Sequence, residues 1–209
     1  MNRLVIIADV VNSRRLPDRA SVQTRLDGLL GDLNASRAQL LSPYTITLGD
    51  EFQAVFDGAD RYFPDLLAIM GALHPVEIRF AASIGPLSTG INTQQAIGMD
   101  GPAFHQARDL LERMKKQNRT LAIAGLPKDD GLVDGALGLL NHHLRKWRPN
   151  RLDVLRWLLL ERDVHEIALH LDITEQSVYK NIRDGALEPT IQLMQALTGR
   201  MNAALAEAH

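Results

Sequence analysis

The chain has 209 residues, of which 45% are hydrophobic and 23% are charged, and its formal net charge is −2 at pH 7. This composition is typical of a globular protein and excludes a disordered chain, while the absence of cysteine excludes disulfides and thiolate metal sites. The near-neutral charge gives no bulk attraction to nucleic acid, so any contact with DNA needs a local basic surface.

The first part of the chain alternates between strand and helix patterns. Residues 3–11 (RLVIIADVV) form an apolar run that is typical of a central strand. Because this run contains Asp9, it is too acidic to be a signal peptide or a membrane span. We therefore expect a cytoplasmic protein with no membrane contact. A helix follows Pro17, and then YTITL and FQAVF flank the triplet Gly49-Asp50-Glu51 as a hairpin. A second helix and a strand over 76–85 complete the order of a ferredoxin-like sheet, which predicts an α+β fold with helices on one face.

The last part of the chain is helical in pattern. The segment GMDGPAFHQARDLLERMKKQN is predicted to form a further helix that begins at its Gly-Pro pair, and TLAIAGL is a candidate strand. After Pro127 the remaining patterns all have helical spacing. Because the pattern changes from mixed to all-helical, the sequence predicts two domains, an α+β domain over 1–140 and a helical domain over 141–209.

Two acids are predicted to meet at one end of the sheet. Asp9 ends the first strand, and the expected topology places the hairpin tip with Asp50 beside it. Paired carboxylates suit Mg²⁺ or Mn²⁺, so these two residues are the candidate metal ligands. An ordinary solvated turn at the Gly-Asp-Glu triplet is the alternative.

The segment after the first strand is the candidate phosphate site. It is expected to turn into the first helix, so that main-chain N–H groups and the positive end of the helix lie near the metal. The alternative role for the serine in this segment is to cap the helix. The candidate ligand-binding residues are Val11, Asn12, Ser13 and Arg14.

Four motifs occur in one order along the chain: VIIADVVNS, ITLGDEFQAVF, IRFAASIG and GMDGPAFHQARDLLE. They resemble the core motifs of the class III nucleotidyl cyclase catalytic domain, whose two metal-binding aspartates match Asp9 and Asp50. The combination more closely resembles the SatD family of bacterial proteins over nearly the whole chain. The resemblance implies a cyclase-like fold that binds a metal and a nucleotide or other phosphorylated ligand.

The cyclase pattern is broken at the residues that act on the phosphates. The family has an Asn and an Arg in its penultimate motif, where this chain has His105 and Asp109, and Arg108 is one residue out of place. The negative carboxylate of Asp109 would repel the negative charge that develops on the phosphates in the transition state. The purine-selecting Lys is also missing, with Thr45 and Thr47 in its neighbourhood. These departures predict that cyclisation is lost while metal and phosphate binding are retained.

Residues 164–185 (VHEIALHLDITEQSVYKNIRDG) resemble a helix-turn-helix unit. Ala168 lies where two helices would cross, Val178 follows ten residues later, and Asp172 takes the place of the usual turn glycine. Positive charge is densest just before this unit, in HHLRKWRPNR. The alternative is a helical packing or dimerisation module. The candidate DNA-binding residues on the second helix are Gln176, Ser177, Tyr179, Lys180 and Arg183.

Three functional hypotheses follow from the sequence. The first is a regulatory protein in which a degenerate cyclase-like domain senses a metal and a phosphorylated ligand and alters DNA binding by the helix-turn-helix. The second is an enzyme of nucleotidyl or phosphoryl transfer using Asp9 and Asp50. The third is a structural adaptor with neither activity. DNA-binding units of this kind read two half-sites as dimers, so a homodimer is expected.

Overall fold

A five-stranded mixed sheet forms the centre of the computed structural model, which describes residues 1–36, 38–127 and 131–207. The strands are β1 (Asn2–Val10), β2 (Leu40–Leu48), β3 (Glu51–Phe56), β4 (Ile78–Pro86) and β5 (Leu121–Ala124). The α-helices are α1 (Arg19–Ala35), α2 (Tyr62–Leu73), α3 (Pro102–Gln117), α4 (Leu132–Leu144), α5 (Pro149–Leu159), α6 (Val164–Leu171), α7 (Glu175–Asp184) and α8 (Leu187–Ala206).

The order of the strands confirms the ferredoxin-like prediction. The sheet runs β2-β3-β1-β4-β5, and β1 is antiparallel to both of its neighbours, β3 and β4. The hairpin turns at Gly49, whose φ of 67° lies in the left-handed region that glycine adopts without cost. The candidate strand after α3 also forms, as β5, which pairs parallel to β4 at the sheet edge. The α+β assignment is therefore correct.

Alternate residues of β1 lie on opposite faces of the sheet. Leu4 and Ile6 belong to a large apolar cluster with residues of α1 and α2, such as Leu26. Val5 and Ile7 belong to a smaller cluster with residues of α3. Because side chains in a strand alternate with a period of two, Asp9 lies on the α3 face. Helices therefore cover both faces of the sheet, whereas the sequence predicted helices on one face only.

The helices after residue 131 share the large apolar cluster with the sheet. Leu140, Leu155 and Met201 are buried in it together with residues of β1 and α2. The end of α8 also bonds to the sheet, because Asn2 Nδ2 donates to the carbonyl of Ala204 at 2.9 Å. The division into domains at residues 140 and 141 stays a prediction, and the part of the chain beyond it packs directly on the first part.

One buried side chain links the helices to the edge strand. Asn141 lies on α4, and its Oδ1 accepts hydrogen bonds of 2.8 Å from the main-chain N–H groups of Thr120 and Leu121. Its Nδ2 donates to the carbonyl of Leu121 at 2.9 Å. Because both polar atoms of this buried amide have hydrogen-bond partners, the amide holds α4 against β5. None of the helices in the described ranges combines the length and apolar character that crossing a membrane requires.

Candidate functional site

Asp9 lies near the end of β1 between two charged neighbours. The register pairs Asp9 with Glu51 on β3 and with Arg79 on β4. Side chains of residues that are directly opposite in antiparallel strands lie on the same face. The three charged side chains therefore point together toward α3.

Two cations hold the carboxylate of Asp9. Arg79 Nη1 lies 3.3 Å from Oδ1, and Lys115 Nζ of α3 lies 3.5 Å from Oδ2. Asp9 is only 7% exposed. Burial raises the pKa of Asp9 above its ordinary value, and the charges of Arg79 and Lys115 act in the opposite direction. Both oxygens of this carboxylate are thus engaged by positive charges.

The pairing continues along α3. Arg108 Nη1 donates to Glu51 Oε2, and Thr47 Oγ1 lies 3.3 Å from the other carboxylate oxygen of Glu51. Lys115 Nζ also contacts Glu112 Oε1 at 2.7 Å. Arg108, which the sequence placed one residue away from a family position, therefore binds an acid of the sheet. We name this group the α3 ion-pair cluster; its members are Asp9, Glu51, Arg79, Arg108, Glu112 and Lys115.

Asp50 lies beside this cluster along the chain, but its carboxylate contacts a different helix. The carbonyl of Asp50 accepts a hydrogen bond of 3.1 Å from the N–H of Val10, so the hairpin tip does adjoin the end of β1 as expected. Its carboxylate lies 4.0 Å from Arg19 of α1, whereas that of Asp9 contacts α3. Within the described residues, no three acids, histidines or cysteines converge as metal ligands would. The metal site stays a prediction, and the ion pairs found compete with it.

The segment from Val11 to Arg14 connects the end of β1 to a short turn that precedes α1. Asn12 adopts a left-handed conformation with φ of 53°, and Ser13–Arg15 form a single 3-10 turn. The helix α1 begins later because Asp18 caps it, accepting a hydrogen bond of 3.0 Å from Ser21 N. The N–H of Val11 donates to the carbonyl of Glu77 at 2.8 Å.

This local structure bears on the expected phosphate site. Ser13 is buried, Val11 is half-buried and Arg14 is exposed. The helix α1 begins at Arg19, so the free N–H groups of its first turn belong to residues that follow this segment. Phosphate binding by Val11, Asn12, Ser13 and Arg14 stays a prediction.

His105 and Asp109, the two departures from the cyclase pattern, are exposed on α3. His105 Nε2 lies 2.7 Å from Asp100 Oδ1. The cations that α3 directs to the sheet are instead Arg108 and Lys115. Sequence reasoning missed the role of Arg79, although this charge interrupts the apolar part of β4, the strand that the ferredoxin order places beside Asp9. The partners from α3 depend on how that helix docks, and the sequence carries no local signal for docking.

The second candidate site is the helix pair α6 and α7. Asp172 ends α6 in a left-handed conformation with φ of 51° and ψ of 48°, in the position that usually holds glycine. Ala168 and Val178 are both buried where the two helices contact each other. Thr174 caps α7, its side chain accepting a hydrogen bond of 3.1 Å from Ser177 N. Two short helices joined by a turn of three residues are therefore present.

The outer face of α7 is open to solvent. Gln176, Lys180 and Arg183 are exposed, and Tyr179 is 57% exposed. Ser177 is half-buried, and its hydroxyl lies 2.9 Å from Thr174 Oγ1. Four of the five candidate DNA-binding side chains are thus accessible on the same helix, and the fifth is partly engaged by the helix cap.

Comparisons with known proteins identify a family and a distant structural likeness. The model of the SatD family matches residues 3–188. Two solved structures of a bacterial light-regulated adenylyl cyclase are similar, each at 17% sequence identity. One, with a TM-score of 0.43, aligns over 58% of this chain and 74% of its own; the other, at 0.44, aligns over 59% and 43%. These scores support no statement about activity. No curated protein matches the chain.

Proposed function

The chain belongs to the SatD family, whose model covers residues 3–188, and we propose that it binds double-stranded DNA through α6 and α7. In this proposal α7 enters the major groove, and α6 supports it from behind. The observation that carries the proposal is the exposed polar and basic face of α7 on a helix whose inner face is buried. That face consists of Gln176, Tyr179, Lys180 and Arg183.

The packing of α7 gives this face a fixed direction. Val178 is fully buried, and Ile182, one helical turn later, packs against the same apolar cluster. Because successive residues of a helix are rotated by about 100°, Gln176 and Lys180 lie on the side away from Val178. The side chains that would read bases are therefore presented by a helix that cannot easily rotate.

Each exposed side chain suits a different part of DNA. The amide of Gln176 can bond to the edge of adenine with both its donor and its acceptor. Lys180 and Arg183 can meet phosphates or guanine, and Tyr179 can pack against the sugar-phosphate backbone. Contacts of these side chains with base edges would give a sequence preference, whereas phosphate contacts alone would not.

We keep the regulatory hypothesis as a second part of the proposal. It is favoured by the direct contact between α2 of the first part and α5, the helix that precedes the pair. A ligand that shifted α2 would thus act on the segment that carries α6 and α7. The proposal includes no metal-dependent catalysis, because cations already engage the carboxylates of Asp9 and Asp50.

Selection of binding sites from a pool of random duplexes tests the proposal. We expect the full chain to enrich a preferred sequence, and Gln176→Ala to weaken binding to it by roughly 1–3 kcal/mol and relax the preference at one position. Lys180→Ala should weaken binding to all duplexes alike. The matched controls are Gln195→Ala on α8 and Lys116→Ala on α3, both of which are exposed and lie on other helices.

Failure of the wild-type chain to retain any duplex would reject DNA binding and favour the structural adaptor. Equal losses in the α7 variants and in the controls would show that α7 is not the contacting helix. Both results can be read only in folded variants, which is why every substituted side chain in this set is an exposed one.

A further inference from the structure

A groove beside α7 is bordered by positive charge. Its lining comes from the connection between α4 and α5, from the start of α5 and from one residue of α7: Lys146, Arg148, Pro149, Asn150, Arg151 and Asn181. We propose that this groove binds the phosphate backbone of duplex DNA next to the groove that α7 enters. The inference rests on the proposed function and assigns the backbone contact to residues that lie outside the helix pair.

Among the residues that the structure describes, no acid pairs with the cations of the groove. In the described ranges, Lys146, Arg148 and Arg151 have no carboxylate within 4.0 Å. By contrast, Arg145, directly before this group, pairs with Glu77 at 3.0 Å. Three like charges that line one groove repel each other, and an anion placed between them removes this repulsion. The groove therefore favours a ligand with negative charge.

The groove lies on a flank of α7, toward its buried side. Arg151 Nε bonds to Asn181 Oδ1 at 3.4 Å, which places the groove along the side of α7 that carries Asn181. Asn181 is rotated by about 100° from Lys180 and by about 140° from Gln176, and it lies about 60° from the buried Val178. The major groove is about 12 Å wide and is bordered by phosphates on each side. We infer that the cations of the α4–α5 connection, which lie beyond the Lys180 side of α7, meet one of these phosphate strands.

The geometry of the groove is held by packing. The guanidinium of Arg151 lies 5.9 Å from the centre of the Trp147 ring, and Trp147 is buried. Arg151 therefore has a structural role as well as a charge. Lys146 and Arg148 are exposed, and Lys146 Nζ lies 3.0 Å from His142 Nε2. These two cations can be removed with little effect on the core, which makes them the residues to test.

The test compares two double variants of equal charge. Lys146→Ala with Arg148→Ala removes two cations from the groove, and Lys116→Ala with Arg113→Ala removes two exposed cations from α3. Binding to a duplex of three helical turns, roughly 30 bp, is measured between about 50 and 200 mM salt. Each phosphate contact adds about 0.9 to the slope of log K against log salt, so we expect the groove variant to lose nearly 2 from this slope. We also expect its affinity at the lowest salt to fall by about tenfold or more.

The outcomes separate the groove from the reading helix. A groove variant that keeps the wild-type slope, while Lys180→Ala lowers affinity, overturns the groove proposal and leaves DNA binding by α7 in place. Equal changes in the two double variants overturn it as well, because they would reflect net charge alone. If the wild-type chain binds no duplex, the proposed function itself is rejected. If the chain binds single-stranded RNA of equal length more tightly than the duplex, the groove binds RNA and the proposal is overturned. Lys146→Gln with Arg148→Gln repeats the test if the alanine variant does not fold.

Discussion

At the scale of single residues, the most informative side chain is Asp9. It carries a buried carboxylate, and the cations of Arg79 and Lys115 supply the compensation that burial of such a charge requires. A divalent ion at the same oxygens would have to displace two positive charges, one of them on the partly buried Arg79. The ion pairs thus engage the same carboxylate oxygens that the resemblance to cyclases assigns to Mg²⁺ or Mn²⁺.

We predict that Mg²⁺ or Mn²⁺ does not stabilise the wild-type chain. A metal present at 100 times its Kd would add about 2.7 kcal/mol to the free energy of unfolding. In a chain of this size that gain raises the Tm by about 5–10 °C, which a melting scan resolves easily. A rise of this size that disappears in both Asp9→Asn and Asp50→Asn would show that the two carboxylates share an ion after all.

Asp65 is a second buried carboxylate, on α2. It contacts Arg61 at 3.0 Å and accepts a hydrogen bond of 3.2 Å from the hydroxyl of Tyr44. Burial raises the pKa of Asp65 to about 6, although Arg61 and Tyr44 act to lower it. Between the ordinary pKa of 3.8 and about 6, the folded chain binds a proton here that the unfolded chain does not. The contribution of Asp65 to stability therefore falls as pH rises through this window.

We predict that Asp65→Asn removes this pH dependence. Relative to wild type, the stability of the variant should rise by roughly 2–3 kcal/mol between pH 4 and pH 7, because only the wild type incurs the cost of ionising a buried acid. Urea unfolding at several pH values measures the difference, with Asp27→Asn on the exposed side of α1 as the control. If the pair with Arg61 instead outweighs burial, the variant loses stability relative to wild type over the same range.

At the scale of elements, the turn between α6 and α7 depends on one backbone conformation. Asp172 adopts the left-handed region, which aspartate tolerates better than most residues other than glycine and asparagine. Its side chain is exposed, so the conformation of its backbone is what the turn requires. The aspartate in place of glycine weakened the helix-turn-helix assignment from sequence, and in the structure it is compatible with the turn.

We predict that Asp172→Val destabilises the chain by about 1–2 kcal/mol, the cost of a left-handed conformation for a residue that disfavours it. Asp172→Gly should be neutral or slightly stabilising. The control is Leu169→Val, an exposed position of α6 within the same helix, where a β-branched residue costs only some tenths of a kcal/mol. Equal Tm values for Asp172→Val and wild type would mean that the turn adopts another backbone conformation.

The elements themselves were largely predictable, and their contacts were not. The apolar run around Ile6, the hairpin at Gly49 and the helical spacing after Pro127 are local signals, and each forms the expected element. Pro17 and Asp18 also marked the start of α1 correctly, whereas the 3-10 turn before them has no local signal in the sequence. The partners of Asp9 were missed because Lys115 is distant in sequence and meets it only through the packing of α3.

At the scale of the whole molecule, the helical part is integrated with the sheet. The large apolar cluster runs from β1 through α2 and α5 to α8. The buried amide of Asn141 fixes α4 to β5, and Asn202 of α8 accepts a hydrogen bond of 2.8 Å from Ala59 N. A sequence read as two domains therefore folds with extensive contact between them. This shared packing is the connection that the proposed regulation would use.

The most direct test of the central claim is photo-cross-linking from α7 to duplex DNA. A photoreactive p-benzoylphenylalanine replaces Tyr179, which is exposed on the proposed reading helix, and in a control chain it replaces His105, which is exposed on α3. With the full chain bound to a selected duplex, we predict a covalent adduct from position 179 and none from position 105. An adduct from position 105 alone, or none from position 179 while the duplex stays bound, would contradict DNA binding by α7.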